Sequence, residues 1–141
     1  MRLDSVFSLP RAARILYELL AERPAENFIS HEKMPTMDEH EDFVASNPFR
    51  YWYLVYAEGV YVGALECTEL NEIGVAIFKR FRRKGYGAQA LKLFIETHKP
   101  LPAIPARRNG RWLANIATHN IGSKLFFANA GFRPIQETWQ L

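Results

Sequence analysis

Residues 71–91 read NEIGVAIFKRFRRKGYGAQAL, and the order of patterns in this stretch decides the fold. An apolar run typical of a strand passes into a basic turn with two glycines at residues 82–87, and helical spacing of apolar residues follows. Glycines let the backbone approach a ligand closely, and a helix start adds unpaired N–H groups and a positive dipole end. The order of strand, turn and helix therefore predicts a site for a pyrophosphate.

The basic turn also has plainer interpretations. A Gly-x-Gly pair can be an ordinary tight turn, and a run of cations is often a solvated surface. A single cluster without interleaved exposed aromatics supports nucleic-acid binding poorly, so we expect no nucleic-acid partner. A Walker-type loop would need Gly-Lys-Ser/Thr, and a dinucleotide fingerprint would need a third glycine where Ala90 stands. The cations of the run are Lys79, Arg80, Arg82, Arg83 and Lys84.

Upstream of this stretch, the pattern predicts one strand and two helices. The strand covers residues 3–7, and Ser8 then caps a helix that has Pro10 in its first turn. Thr36 and Glu39 form a capping box that opens the second helix. Both helices therefore precede the main run of strands.

The rest of the chain predicts a β meander followed by alternating helices and strands. Short turns make the first strands antiparallel, and a later strand–helix–strand crossover implies at least one parallel pair. The predicted fold is of the α/β (α+β) class, with a mixed, mostly antiparallel central sheet and helices on both faces, in one domain over residues 1–141. The predicted elements are strands at 50–57, 60–67 and 72–77, a helix after Gly87, a strand at 111–117, a helix at 120–129 and a closing strand at 132–141.

Composition narrows the classes of function. The chain has 141 residues, the usual size of one domain, and its net charge of +3 suits an anionic small ligand better than a nucleic-acid coat. Its single cysteine, Cys67, excludes an intramolecular disulfide and lies among apolar residues, which indicates an inert buried thiol. No apolar run has the length of a signal peptide or a membrane span. We therefore expect a cytoplasmic protein without a metal site or a membrane partner.

Two motifs resemble signatures of the GNAT superfamily of N-acetyltransferases. The Arg-x-x-Gly-x-Gly turn at residues 82–87 follows a strand, as does the acetyl-CoA signature of that family. Residues 120–132, NIGSKLFFANAGF, resemble its Asn-x-x-Ser helix and closing strand. The two motifs occur in the family's order. The resemblance implies the GNAT fold and an acetyl-CoA-dependent N-acetyltransferase.

The same resemblance assigns the cofactor site. The end of the strand before the turn would line the pantetheine arm, and the turn would bind the pyrophosphate of acetyl-CoA. An N–H near Ile77 is the expected donor to the thioester oxygen. Asn120 would contact pantetheine, cap its own helix, or do both. The predicted cofactor-binding residues are Ile77, Phe78, Lys79, Arg82, Arg83, Lys84, Gly85, Tyr86, Gly87, Asn120, Ser123 and Phe127.

Acetyl transfer to an amine also needs a general base, because an ammonium has no lone pair for the attack. By resemblance, Glu72 matches the position of a glutamate that acts as the base in some members. Glu66 on the neighbouring strand is the second candidate. His31 and His40 titrate in a suitable range but lie in the variable N-terminal half. A plain structural role is the alternative for Glu72 and for both histidines.

One position departs from the family pattern. Many members have a tyrosine where Phe127 stands, to protonate the departing thiolate. Solvent or another hydroxyl, such as Ser123 or Tyr86, would then supply the proton, or the chain would bind acyl-CoA without catalysis. The expected acceptor is a primary amine of a small molecule, and residues 27–43 are faintly similar to acetyltransferases of amino-sugars. The expected state is a monomer or a homodimer.

Overall fold

The computed structural model describes residues 1–24, 26 and 33–141. In chain order its elements are β1 (Arg2–Ser5), α1 (Ala12–Ala21), α2 (Met37–Ala45), β2 (Tyr51–Ala57), β3 (Val60–Cys67), β4 (Ile73–Ile77), α3 (Tyr86–Thr97) and α4 (Ile121–Asn129). Short 3₁₀ turns follow β1 at Val6–Ser8 and β4 at Lys79–Phe81. The predicted meander and the predicted helix after the basic turn are thereby confirmed.

The strands form one antiparallel sheet in the order β1-β2-β3-β4. A tight turn joins β2 to β3, and Gly59 within it has φ +86°, a conformation that glycine adopts without strain. Between β3 and β4 the register pairs Gly63 with Ile77 and Glu66 with Gly74. This register decides which groups β4 presents at the outer edge of the sheet.

Helices cover both faces of the sheet, as the sequence predicts. On one face, α1 and α2 pack on an apolar cluster that includes Leu16, Trp52 and Phe78. On the other face, α3 and α4 pack on a second cluster around Phe94 and Phe127. Side chains alternate between the two faces along each strand, so β2 and β3 contribute to both clusters.

Two predicted strands do not form, and here the sequence-based prediction is wrong. Within residues 111–117, only Leu113 pairs with the sheet, through a parallel bridge to Glu72. Its N–H donates to Asn71 O (2.9 Å) and its carbonyl accepts from Ile73 N–H (2.8 Å), after which the segment leaves β4. Residues 133–141 are all exposed and pair with nothing in the described chain. Both segments have strand-like sequences, but a strand also needs a neighbour along its backbone.

The predicted start of the first helix is also wrong. The Ser5 hydroxyl accepts the N–H of Phe7 (3.3 Å), and the Ser8 hydroxyl donates to Ser5 O (2.7 Å). These bonds fold Val6–Ser8 into a 3₁₀ turn, so β1 ends at Ser5. Helix α1 therefore begins only at Ala12, after both Ser8 and Pro10.

The predicted caps of α2 and α4, at Thr36 and Asn120, are confirmed. The Thr36 hydroxyl accepts the N–H of Glu39 (3.2 Å) at the start of α2. At the start of α4, Asn120 Oδ1 accepts the N–H of Ser123 (3.1 Å). None of the helices in the described part of the chain has the length and apolarity that crossing a membrane requires.

Candidate functional site

The outer edge of β4 is open over most of its length. Hydrogen bonds from Phe78 N–H to Val62 O (3.0 Å) and from Thr68 N–H to Glu72 O (2.9 Å) fix which residues bond to β3. Because bonding alternates in an antiparallel pair, the backbone groups of Val75 and Ile77 point outward. Leu113 occupies this edge only at its beginning. The amides of Val75 and Ile77 therefore have no acceptor within the described residues.

The open edge runs directly into a turn with unusual backbone geometry. Arg83 has φ +62° and Gly85 has φ +80°, so two left-handed residues flank Lys84 just before α3. From Arg83 to Ala88, six successive amides donate to no acceptor in the described chain. Such a run of amides at a helix N-terminus favours an anion. The pyrophosphate site expected at this turn stays a prediction, and the turn has the backbone geometry that such a site needs.

Arg82 has a different place from its basic neighbours. Its Nε donates to the carbonyl of Ile77 (2.9 Å), so the side chain closes the turn back onto the end of β4. The side chains of Arg83 and Lys84 are exposed beside the six amides. Arg82 therefore shapes the turn, whereas Arg83 and Lys84 supply positive charge near it.

Of the three residues predicted to line the pantetheine arm, only Ile77 keeps an open amide. The N–H of Phe78 is bonded to Val62 O, and its side chain is buried in the cluster under α1 and α2. The N–H of Lys79 donates to the Glu22 carboxylate (2.8 Å) at the end of α1. The geometry thus leaves the amides of Ile77 and its outward-facing neighbour Val75 open, and the donor role expected of Ile77 stays a prediction.

Gly87 packs against two side chains, which the sequence did not indicate. A β carbon at this position would lie 3.1 Å from Phe126 Cε2 and 3.4 Å from Ile77 Cγ1. Phe126 of α4 therefore seals the junction between β4 and α3. By contrast, a β carbon on Gly85 would meet only the Gln89 side-chain amide, at 3.5 Å. Gly85 leaves the turn accessible, and Gly87 allows the helix to pack closely.

Tyr86 is held at the start of α3 by a charged partner. Its hydroxyl donates to the Glu58 carboxylate (2.5 Å) in the turn between β2 and β3. This hydrogen bond raises the pKa of the Tyr86 phenol above its ordinary value. Tyr86 therefore fastens the basic turn to the β2–β3 hairpin.

The α4 residues of the second motif separate into two groups. Asn120 and Ser123 lie at the N-terminus of the helix, where Asn120 caps it. Phe127 is buried in the core, 5.1 Å from the Phe132 ring centroid in an edge-on contact. The structure thus places Phe127 among core side chains, and its predicted contact with the cofactor stays a prediction.

Of the two candidate bases, Glu66 has the more unusual surroundings. It lies on β3, on the face covered by α1 and α2, and its carboxylate rests against the backbone of Gly74 on β4. Any larger residue at position 74 would place its β carbon on Glu66 Oε1. Burial raises the pKa of Glu66, and the positive charge of Arg23 acts in the opposite direction. A carboxyl group with a raised pKa is suited to exchange protons near neutral pH.

Glu72 is fixed by its surroundings. Its carboxylate accepts the Thr68 hydroxyl (3.1 Å), and its backbone forms the bridge to Leu113. The side chain is only partly buried, just before β4 begins, where the 111–117 segment leaves the sheet. Both acidic candidates therefore lie near the beginning of β4, but the Glu72 carboxylate already has a hydrogen-bond partner in Thr68.

The remaining titratable residues singled out in the sequence are His31, His40 and Cys67. His31 is not among the described residues. His40 is buried, with Nε2 2.8 Å from Ala13 O, and burial lowers its pKa. Cys67 is fully buried, and burial raises its pKa to about 11, which agrees with an inert thiol. The residues 27–32, part of the stretch compared with amino-sugar acetyltransferases, also lie outside the description.

Comparisons with known proteins point to one family. The model of the acetyltransferase (GNAT) family matches residues 14–132, and no curated relative matches the chain significantly. An acetyltransferase from Thermus thermophilus is 22% identical over 96% of this chain and 88% of its own, with a TM-score of 0.68. A ribosomal-protein-alanine N-acetyltransferase from Brucella melitensis is 19% identical over 94% and 83%, with a TM-score of 0.62. An N-acetyltransferase from Staphylococcus aureus is 18% identical over 94% and 81%, with a TM-score of 0.60.

Proposed function

This chain belongs to the acetyltransferase (GNAT) family, and from that premise we propose that it transfers an acetyl group from acetyl-CoA to the primary amine of a small molecule. Family membership supports acyl transfer in general. The proposal of acetyl-CoA as the donor rests on one observation, and the amine acceptor follows from the resemblance to N-acetyltransferases. The open edge of β4, at Val75 and Ile77, runs into six unpaired amides at the start of α3.

The residues of the turn fit the diphosphate of a coenzyme. Gly85 leaves room above the backbone, and Arg83 and Lys84 add positive charge at the same place. Backbone N–H groups at a helix start bind phosphate oxygens without the cost of ordering long side chains. Bound acetyl-CoA would supply a thioester carbonyl that is activated toward attack by an amine.

The open edge of β4 can orient and polarise that carbonyl. The outward-facing amides of Val75 and Ile77 are fixed by the sheet, so little reorganisation is needed before they donate. Leu113 closes this edge at its beginning, and Phe126 seals its far end against α3. The chain thus offers preorganised donors along one short segment.

Glu66 is the proposed general base. Its carboxylate lies on the α1 and α2 face of the sheet, against Gly74 at the edge strand, and burial raises its pKa. It would take one proton from the acceptor ammonium at its carboxylate oxygen, directly or through water. Glu72 is the second candidate, although Thr68 already donates to it.

The residues considered for returning a proton to the leaving sulfur are Phe127, Tyr86 and Ser123. Phe127 carries no exchangeable proton and is buried in the core. Tyr86 already donates its hydroxyl hydrogen to Glu58, which leaves the Ser123 hydroxyl and solvent. A thiol pKa of about 8.5 makes protonation by solvent sufficient at neutral pH.

A non-catalytic acyl-CoA-binding module is the second candidate function, because Phe127 replaces the expected hydroxyl. The acceptor class is also open to an alternative, since one structural neighbour is named for acting on an alanine of a ribosomal protein. We propose a small amine, with an amino-sugar as one candidate, and a cytoplasmic location.

The test combines a thermal shift with an amine panel. Acetyl-CoA at 100 times its Kd should stabilise the native state by about 2.7 kcal/mol, so Tm should rise by several degrees. The panel should include amino-sugars, polyamines and a peptide with an N-terminal alanine, with free thiol as the readout. Thiol release that depends on a small amine supports the proposal.

Three results would count against it. A Tm that does not respond to acetyl-CoA removes the proposed cofactor site. A rise in Tm without amine-dependent thiol release favours the non-catalytic module. Salt-sensitive binding to duplex DNA that CoA does not compete for would assign the basic turn to nucleic acid instead.

A further inference from the structure

A cavity of about 200 Å³ opens between α1 and the β2–β3 hairpin, on the face of the sheet that α1 and α2 cover. Three aromatic rings line it, from Tyr56 on β2, Tyr61 on β3 and Phe78 directly after β4. Ile15 lines it from the side of the helix. Pockets for drug-sized ligands measure about 300–1,000 Å³, so this smaller cavity suits a molecule with a single ring.

Hydrogen bonds and ring contacts hold the aromatic walls of this cavity in place. The Tyr61 hydroxyl donates to Asp4 Oδ2 (2.8 Å), and Arg2 Nε donates to Asp4 Oδ1 (2.8 Å). The Arg2 guanidinium carbon lies 3.8 Å from the Tyr56 ring centroid, and the rings of Tyr56 and Tyr61 meet edge-on at 5.2 Å. Phe78 is buried in the core. A ligand would therefore meet side chains that are already ordered, which lowers the entropic cost of binding.

Two arginines that line the same cavity have no carboxylate partner in the described part of the chain. Arg11 lies directly before α1, with its guanidinium carbon 5.9 Å from the Tyr61 ring centroid. Arg80 lies in the 3₁₀ turn after β4, with its guanidinium carbon 4.6 Å from the Phe78 ring centroid. By contrast, the guanidinium of Arg2 is paired with a carboxylate. Two positive charges without such a pair therefore stand beside the aromatic walls.

The other charges at the cavity also favour an anion. Glu18 lines it too, seven residues after Arg11 on the same side of α1, but its carboxylate lies 3.5 Å from Arg14 Nε. The lining therefore has two positive charges and one carboxylate that already has a partner. In addition, α1 begins after Arg11 without a side-chain cap, and the positive end of a helix dipole favours a negative charge. The cavity thus combines aromatic walls with an excess of positive charge.

We propose that this cavity binds a small aromatic carboxylate, with its ring against the three aromatic side chains and its carboxylate at Arg11 and Arg80. Guanidinium groups bind a carboxylate through paired N–H donors, and aromatic side chains attract a flat apolar ring. The site lies apart from the proposed acyl site, because the amides of Val75 and Ile77 point outward at the edge of the sheet and the cavity lies on its face. The proposal does not depend on the proposed function.

The first test compares three probes by NMR titration at constant ionic strength. Benzoate should bind at one site with a Kd of about 0.1–10 mM, the range expected for so small a ligand. Benzamide has the ring without the charge and acetate has the charge without the ring, so each should bind at least about 10-fold more weakly. Saturating acetyl-CoA should leave benzoate bound. The proposal is overturned if benzoate binding does not saturate, if either control binds equally well, or if acetyl-CoA displaces benzoate.

The second test locates the bound benzoate. Arg11→Gln/Arg80→Gln should weaken binding by roughly 10-fold or more, because hydrogen bonds between charged groups are the strong ones. Its circular dichroism spectrum should not change, since both side chains are exposed. Arg107→Gln/Arg111→Gln removes the same charge from exposed positions elsewhere and should bind like wild type. The benzoate ring protons should also give nuclear Overhauser effects to the methyl groups of Ile15. An unchanged Kd in Arg11→Gln/Arg80→Gln, an equal loss in the control, or no such effect at Ile15 would each overturn the proposal.

Discussion

The carboxylate of Glu66 rests on the backbone of Gly74, in the space that a β carbon at position 74 would take. The two residues are direct partners in the β3–β4 register. Glu66 is thereby kept against the edge strand whose outward amides form the proposed acyl site. Glycine at position 74 allows a carboxylate to lie across β4, where any other residue would displace it.

Gly74→Ala should therefore behave as a mild form of Glu66→Gln. The new methyl group would push the carboxylate away, and the flexible Glu66 side chain can move without unfolding the sheet. Loss of a general base costs roughly 10²–10⁴-fold in rate, so kcat should fall by about 10-fold or more in Gly74→Ala and further in Glu66→Gln. Steady-state kinetics with the best amine of the panel would measure both.

Gly122→Ala is the matched control for this substitution, because its β carbon would come no closer than 3.8 Å to Asn120 Oδ1. It should keep wild-type kcat. The affinity for acetyl-CoA should be unchanged in all three variants. Full activity of Gly74→Ala would mean that the carboxylate position does not matter to the reaction.

The Glu66–Gly74 contact also shows where prediction from sequence ends. The strands β2, β3 and β4 are predictable because their apolar patterns and the Glu58-Gly59 turn are local. Which residue of β3 faces Gly74 depends on register, and a shift of one residue would move Glu66 to the other face. The sequence could therefore propose Glu66 as a base, but not the glycine that makes room for it.

The two predicted strands that do not form are absent for a related reason. Residues 111–117 and 132–141 have suitable side chains, yet strand formation also depends on a neighbour elsewhere in the fold. Leu113 finds one at Asn71 and Ile73, and the residues after it do not. The opening that this divergence creates beside Val75 and Ile77 is the proposed acyl site, so the failed strand prediction and the function share one origin.

The raised pKa of Glu66 predicts a pH-dependent cost in stability. In the unfolded chain the carboxyl group ionises near its ordinary pKa of 4.5, whereas the folded state holds its proton to higher pH. The folded state thus binds more protons in this window, so the free energy of unfolding falls as pH rises from about 4.5 to the raised pKa and then levels off. Glu66→Gln should remove this decline and be more stable than wild type at neutral pH.

Urea unfolding of wild type and Glu66→Gln from pH 4 to pH 8 would measure the difference, and other titrating groups cancel in the comparison. Glu69→Gln, at an exposed position in the β3–β4 connection, is the control and should follow wild type. A difference between wild type and Glu66→Gln that does not change with pH would contradict the raised pKa.

The positive charges beside the turn should matter for acetyl-CoA affinity more than for turnover. Arg83→Ala and Lys84→Ala each remove an exposed charge, which is worth about 0.2–1 kcal/mol, or roughly 1.5–5-fold in Kd. The loss should shrink at high salt because exposed charges are screened. Calorimetric titration at two salt concentrations would measure it. Lys92→Ala, on α3 beyond the turn and paired with Glu96 at 3.8 Å, should bind like wild type, and an equal loss there would point to net charge alone.

Asn120 offers a way to separate helix capping from cofactor contact. Its Oδ1 accepts the Ser123 N–H at 3.1 Å, and aspartate caps a helix about as well as asparagine. Asn120→Ala should therefore lower stability by about 1 kcal/mol, whereas Asn120→Asp should not. Aspartate lacks the amide N–H and adds a negative charge. If Asn120 contacts the cofactor, Asn120→Asp should therefore bind acetyl-CoA more weakly while its free energy of unfolding stays unchanged. If Asn120→Asp kept both stability and affinity, the residue would be a cap alone, and the anion site would be confined to the turn before α3.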